Sequence, residues 1–323
     1  MIFYIFLFLV SCFVLSWLGA KLIKNLISLA NYLNWKEFIV AFFIMSFAAS
    51  LPNLRVGISS ALRGIPQLSF GDVIGGDMVD LTLVMALAVL FGKGSLATGS
   101  KTVQKTVIFT SVAAILPLLL VLDANLSRID GVILLLAFLV YTFWLFLKDD
   151  RFKKTYKENP KKPASVSFFG FLKVLINIIF LLCLLLLASQ AIVQSAQFFA
   201  FKLNIPLALV GLLIVGLGNC FPEAYFSIIS SKKGEGWMVL GSLMGSVIVC
   251  STLVLGIVAL ICPIQIPDFS PFLVARIFTI IAAFLFFVVI KTGKEITKKE
   301  AIILIFIYVS FLMVEIFKPY FFN

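Results

Sequence analysis

Apolar residues in this chain gather in long blocks, and the short stretches between them carry most of the charge. A helix needs ~20 consecutive apolar residues to cross a bilayer. Runs near that length fall at 2–20, 37–61, 72–92, 106–122, 131–147, 167–188, 205–230, 237–261, 271–290 and 301–317. The pattern predicts an all-α polytopic membrane protein with ten transmembrane helices. The first run has no basic residues before it, and Lys21 and Lys24 follow it. It therefore reads as a first membrane helix rather than a cleaved leader.

Charge then sets the expected orientation. Of 26 Lys and Arg, nineteen lie in loops after odd-numbered runs, with Lys36 at an edge, and four in loops after even-numbered runs or the C-terminal tail. The other three, Arg55, Lys173 and Arg276, lie within runs. Such a bias places odd-run loops in the cytoplasm and both termini outside, as in a plasma (inner) membrane. The hydrophilic stretch 148–166 becomes a basic cytoplasmic linker between two five-helix halves, 1–147 and 167–323.

Composition narrows the chemistry. The chain is 62% hydrophobic and 13% charged, where a soluble domain carries about a quarter charged residues. Mean hydropathy is +1.15. The net charge of +11 is spread over short loops, so it implies no nucleic-acid partner. No histidine is present, which removes His metal sites, triads and relays. The five cysteines (Cys12, Cys183, Cys220, Cys250, Cys262) lie in or beside apolar runs without paired spacing, so neither disulfides nor a cysteine metal motif is expected.

The two halves repeat. At a constant offset of 170, residues 40–90 align with 210–260 without gaps. Pro52 meets Pro222, Gly64 meets Gly234, Gly71 meets Gly241, Gly75 meets Gly245, and Thr82-Leu83-Val84 meets an identical triplet. Five intervening spans make the copies opposite in membrane direction, the inverted repeat of many secondary transporters. In each copy an apolar run is interrupted by a proline among small or polar residues, and a Gly-rich helix start follows. A proline inside a helix removes a backbone hydrogen bond, and carbonyls freed in hydrocarbon cost several kcal/mol unless something binds them. A cation would satisfy them. Pro222 would open its helix, and Glu223 would supply the charge.

Copy two reads GNCFPEA followed by GSLMGSVIVC; copy one reads AASLPNL followed by GDVIGGDMVD. Together they resemble the duplicated alpha-repeat motifs (GTSLPEL and GNxxGSNxxN) of the sodium/calcium exchanger family, within the cation/calcium antiporter superfamily. The resemblance covers essentially the whole chain. It implies two inverted five-helix repeats with broken helices at the centre, no cofactor, and alternating-access exchange of Ca2+ against Na+. The partners it implies are inorganic cations and the lipid bilayer, with no obligate protein partner.

Mapped onto the family pattern, the second-repeat glutamate is Glu223 and its first-repeat counterpart is Asn53. Ala49 and Ser50 replace the hydroxyl pair of copy one, and Asn219 and Cys220 that of copy two. Gly76 replaces one motif serine, and Ser246 keeps the other. Asp80 and Cys250 end the two motifs, and Asp77 stands where Asn is usual. The implied ion ligands are Glu223 and Asp80, with Asn53, Ser50, Asn219 and Ser246 adding oxygens. Calcium takes 6–8 hard oxygen ligands; intramembrane carboxylates are functional by default.

Several alternatives stay open. Asp77 reads either as a ligand or as the partner of Arg55 in a salt bridge. Cys220 and Cys250 fall on ligand positions, yet small buried cysteines usually pack. Ser50, Asn219 and Ser246 could equally bridge helices. Asp72 reads mainly as a helix cap near the outer surface, and Glu315 as an interfacial charge near Lys318. Proton-coupled cation exchange is a rival function, and a non-transporting sensor or scaffold is another, because Asn53 has lost a charge. An intramembrane aspartyl protease is disfavoured, since position 74 is Ile where Gly-x-Gly-Asp is needed. No enzyme is expected.

Overall fold

The computed structural model describes residues 2–32, 45–92, 94–146, 168–203, 207–234, 236–266 and 270–321. The expected linker 148–166 lies outside the described residues, as do Lys36 and Lys93 among the other basic residues used for orientation. The described chain is almost entirely helical. Its helices are α1 (Ile2–Tyr32), α2 (Met45–Leu62), α3 (Gln67–Phe91), α4 (Lys101–Leu120), α5 (Arg128–Phe146) and α6 (Phe168–Leu203). The second half continues with α7 (207–219), α8 (Phe221–Lys233), α9 (Gly236–Ile261), α10 (Ser270–Thr292) and α11 (Lys298–Phe321).

Among the described residues, five helices are continuous, long and apolar enough to cross a membrane: Gln67–Phe91, Lys101–Asp123, Arg128–Leu145, Gly236–Ile261 and Phe272–Thr292. The pair Gly211–Asn219 and Glu223–Lys233 makes a sixth span, bent by 43°. The bend sits where the sequence places Pro222. Cys220 ends α7 and caps α8, and Pro222 occupies the first turn of α8, where its missing N–H has no helical acceptor to lose. The first copy differs. Pro52 lies inside α2, which stays helical from Met45 to Leu62, so the expected break at Pro52 does not form there. A single proline removes one intrahelical bond, and the rest of the turn holds.

The repeat extends into the local backbone. Gly64 and Gly234, 170 apart, both adopt positive φ (72° and 85°) just past α2 and α8; a side chain at either would strain the left-handed turn. Both α3 and α9 carry a π-helical stretch at the matching place, Asp80–Val84 and Val249–Val254. Such bulges widen one turn and are frequent at functional sites. Thr82 and Thr252, again 170 apart, each bond back to the carbonyl four residues earlier.

Beyond the motif, Ser127 and Asp130 exchange the bonds of a capping box at α5, and Thr297 and Glu300 do the same at α11. Each hydroxyl–carboxylate pair satisfies N–H groups that a helix start leaves free. Two short antiparallel ribbons join the halves. β1 (Leu96–Ala97) pairs with β4 (Glu295–Ile296), and β2 (Asn125–Leu126) pairs with β3 (Ile264–Gln265). Each takes one strand from each repeat.

Helices α3 and α9 form the centre: 83% and 78% of their apolar windows are buried, against 28% for α5. α1 lies along α6, α4 along α10, and α5 against the end of α9 as α11 lies against the end of α3. This is the pairing an inverted repeat dictates. Among the described glycines, the closest approach of one helix backbone to another is between α3 and α7. A Cβ built on Gly75 would sit 2.1 Å from the Leu212 carbonyl oxygen, and one on Gly211 2.3 Å from that of Leu68. Hydrocarbon gives no hydrophobic drive between helices, so close backbone approach at small residues must supply the attraction.

Candidate cation site

The break between α7 and α8 faces the middle of α3, and the start of α9 closes the space from the side. Glu223 opens α8 and is 3% exposed; Asp80, at the start of the α3 π-bulge, is also 3% exposed. The Ser246 hydroxyl lies 3.4 Å from Glu223 Oε1 and is its donor. Ser246 and the Cys220 thiol also lie beside Asp80. Glu223 and Asp80 therefore flank one serine and stand close enough to act on each other electrostatically. Ser50 Oγ is 3.5 Å from Ser246 Oγ and donates to the Ser46 carbonyl at 2.8 Å. Ser46 in turn bonds the Gly241 carbonyl at 3.2 Å, tying α2 to α9. Cys250 adjoins Ser50.

Three buried oxygens in this region have no hydrogen-bond partner: Glu223 Oε2, Asp80 Oδ1 and Asn53 Oδ1. No basic side chain pairs with either carboxylate among the described residues. Buried carboxylate oxygens without donors are costly, a cost that a bound cation or a proton removes. Asn53 and Cys220 close the space above Gly76: a Cβ there would lie 3.6 Å from Asn53 Nδ2 and 3.6 Å from Cys220 Sγ. The bare glycine keeps that space open.

Of the expected ligands, Glu223, Asp80, Ser246, Ser50, Asn53, Cys220 and Cys250 come together here. Two are turned to other partners. The Asn219 amide donates to both oxygens of Asp72, at 2.9 and 3.1 Å. Asp77 accepts from the Ser251 hydroxyl, and the salt bridge with Arg55 does not form; Arg55 Nε has no partner. Asp72 is fully buried, not a surface cap, and α3 begins without a side-chain cap. Glu315, near the end of α11, is also buried, at 6% exposure.

No three Asp, Glu, Cys or His side chains stand in metal-holding geometry among the described residues. Cys220 Sγ contacts the Gly76 carbonyl at 3.6 Å. The thiols pack and bond within the site without assembling a soft-metal centre. What the site offers is two carboxylates among hydroxyl, amide and carbonyl oxygens, a donor set for a hard cation.

The sequence pattern does not mark Ser251, the partner of Asp77, and marks Asp72 only as a cap. Ser227 is one helical turn beyond Glu223, fully buried, with an unpartnered hydroxyl.

Inverted repeats, a broken helix and carboxylates buried at the centre define a membrane transporter of the inverted-repeat class. The family described as Sodium/calcium exchanger protein matches residues 3–147 and again 173–317. The chain belongs to that family, whose members are transporters and not enzymes. The sodium/calcium exchanger MaX1 of Methanosarcina acetivorans is 22% identical over 90% of this chain and 92% of its own. A putative antiporter, CaxA of Alkalimonas amylolytica, is 25% identical over 79% of this chain and 80% of its own. A structure of the sodium-calcium exchanger NCX_Mj soaked with Na+ and Sr2+ superposes with a TM-score of 0.68 at 22% identity, covering 97% of this chain and 98% of that one. That likeness shows the shared fold.

Proposed function

We propose that this protein exchanges sodium for calcium, or a related cation, across the membrane by alternating access. The observation that carries the proposal is the pair Glu223 and Asp80. One comes from each repeat, both are buried, and each has an oxygen without a partner. One divalent cation or two monovalent ones neutralise the pair, so sodium and calcium compete for the same oxygens. Ser246, Ser50 and Asn53 complete the shell, and Cys220, Cys250, Asn219 and Asp77 line or brace it. Family membership and the names of the relatives support this reading.

Exchange follows from the electrostatics. An empty site leaves two carboxylates facing each other in a low-dielectric interior, which opposes closure around nothing and favours the ion-loaded forms. The repeat symmetry lets the same site open to either side as one half moves against the other. The Lys and Arg bias supports cytoplasmic odd-run loops, termini outside and residence in the plasma (inner) membrane. The same bias supports 148–166 as the cytoplasmic linker between the halves 1–147 and 167–323.

The test is calcium uptake into sodium-loaded vesicles carrying the native chain, Glu223→Gln or Asp80→Asn. Both variants should lose gradient-driven uptake, and undiminished flux in both rules the site out. Replacing the sodium gradient with a pH gradient separates sodium from proton coupling.

A further inference from the structure

Helices α1 and α6 pack side by side, and their contact leaves a largely apolar groove that carries a few polar side chains. One part, of about 670 Å³, is lined by Lys173 and Asn177 of α6 and Asn25 of α1. It runs into a second, of about 320 Å³, where Asn25 and Asn177 recur and Trp17 and Lys21 join them. The order across the groove is Lys173, the two asparagines, then Lys21. No acidic side chain lines either part among the described residues. The remaining walls are leucine, isoleucine, valine and phenylalanine.

The depth of the groove follows from its residues. Lys21 Nζ stands 3.6 Å above the Trp17 ring, and Trp17 is half exposed. Tryptophan and lysine together mark the boundary between hydrocarbon and headgroups. One cation at that level and a second at the other end of the groove, with amides between them and apolar walls around them, match a phosphate joined to acyl chains. Basic pockets between membrane helices on the cytoplasmic side take anionic headgroups.

We infer that the α1–α6 groove binds the headgroup of an anionic phospholipid, with Lys21 and Lys173 bracketing the phosphate and Asn25 and Asn177 donating to its oxygens. The bound lipid sits outside the pair of helices that lies against the broken span, so it stabilises one packing of that pair. This inference uses the proposed orientation only to place the groove in the cytoplasmic leaflet. It is independent of which cation is carried.

The test measures thermal unfolding of the purified full chain in detergent, titrated with phosphatidylglycerol, with phosphatidylcholine, or with inorganic phosphate. Phosphatidylglycerol should raise the melting temperature by several degrees where the other two do not. The variant Lys21→Gln/Lys173→Gln should lose that rise, and Lys298→Gln/Lys299→Gln should keep it. Native mass spectrometry of the same samples should show retained phosphatidylglycerol falling in the groove variant alone, which covers a variant with altered baseline stability. Equal responses to both lipids, or an unchanged response in the groove variant, overturns the inference. A response to inorganic phosphate alone assigns the groove to free phosphate and overturns the lipid. Flux through Glu223 and Asp80 is a separate readout, so either proposal can fail alone.

Discussion

Glu223→Gln should change the empty and the loaded protein in opposite directions. Ser246 hydrogen-bonds Glu223 at 3.4 Å and lies beside Asp80, and two contacts of ~3 Å put carboxylates flanking one hydroxyl roughly 7 Å apart. Ionised and at an effective dielectric constant of ~20, they repel by ~2 kcal/mol. The amide removes that repulsion and keeps nearly the same volume, so the ion-free variant should melt a few degrees higher than the native chain. Binding should move the other way. Truncating one member of a buried charge pair costs ~2–5 kcal/mol, which is roughly 30- to several-thousand-fold in Kd. The assay is thermal unfolding in detergent against rising calcium, in sodium-free buffer, for the native chain, Glu223→Gln and Asp80→Asn. The native protein should show a calcium-dependent rise that both variants lose. A calcium-dependent rise of native size in both variants would refute the reasoning, because the two carboxylates would then not hold the ion.

Other outcomes follow from single contacts. Gly75→Ala places a methyl 2.1 Å from the Leu212 carbonyl oxygen and forces α3 from α7, at ~1–3 kcal/mol; reduced thermal stability with the calcium response per folded molecule kept is expected. Asp72→Ala leaves the Asn219 amide buried without its acceptor, costing ~1–3 kcal/mol in the same melts. Asp77→Asn keeps an acceptor for Ser251, so it should retain more calcium response than Asp80→Asn in parallel titrations. Asp130→Ala and Glu300→Ala each remove one capping box, at ~0.5–2 kcal/mol; the two losses should add in the double variant, since distant sites are independent, with vesicle flux per folded protein unchanged.

Much of this architecture was legible in the chain. Apolar runs near membrane thickness mark helices because nothing else satisfies the backbone in lipid. The offset of 170 was readable because both copies keep their prolines and glycines, and those residues answer to backbone geometry more than to neighbours. The same register also reaches Ser127–Asp130 and Thr297–Glu300, whose capping pattern was available and went unread. Glu223 and Asp80 stood out because an intramembrane carboxylate costs too much to keep idle.

What local pattern could not decide was pairing across the repeats. Asp72 resembles a helix cap in one dimension, yet the close approach of α3 to α7 at Gly75 and Gly211 buries it against Asn219. Asp77 had a basic residue within reach in sequence terms, Arg55, and found Ser251 instead. Pro52 and Pro222 are equivalent letters, but the first sits inside a continuous helix and the second at a break between two. Hydropathy, proline and charge act through the membrane and the local backbone, so sequence alone determined the helices, their repeat and the two carboxylates. Which oxygen a buried amide or hydroxyl meets depends on ångström-scale helix approach, and that only the tertiary structure decided.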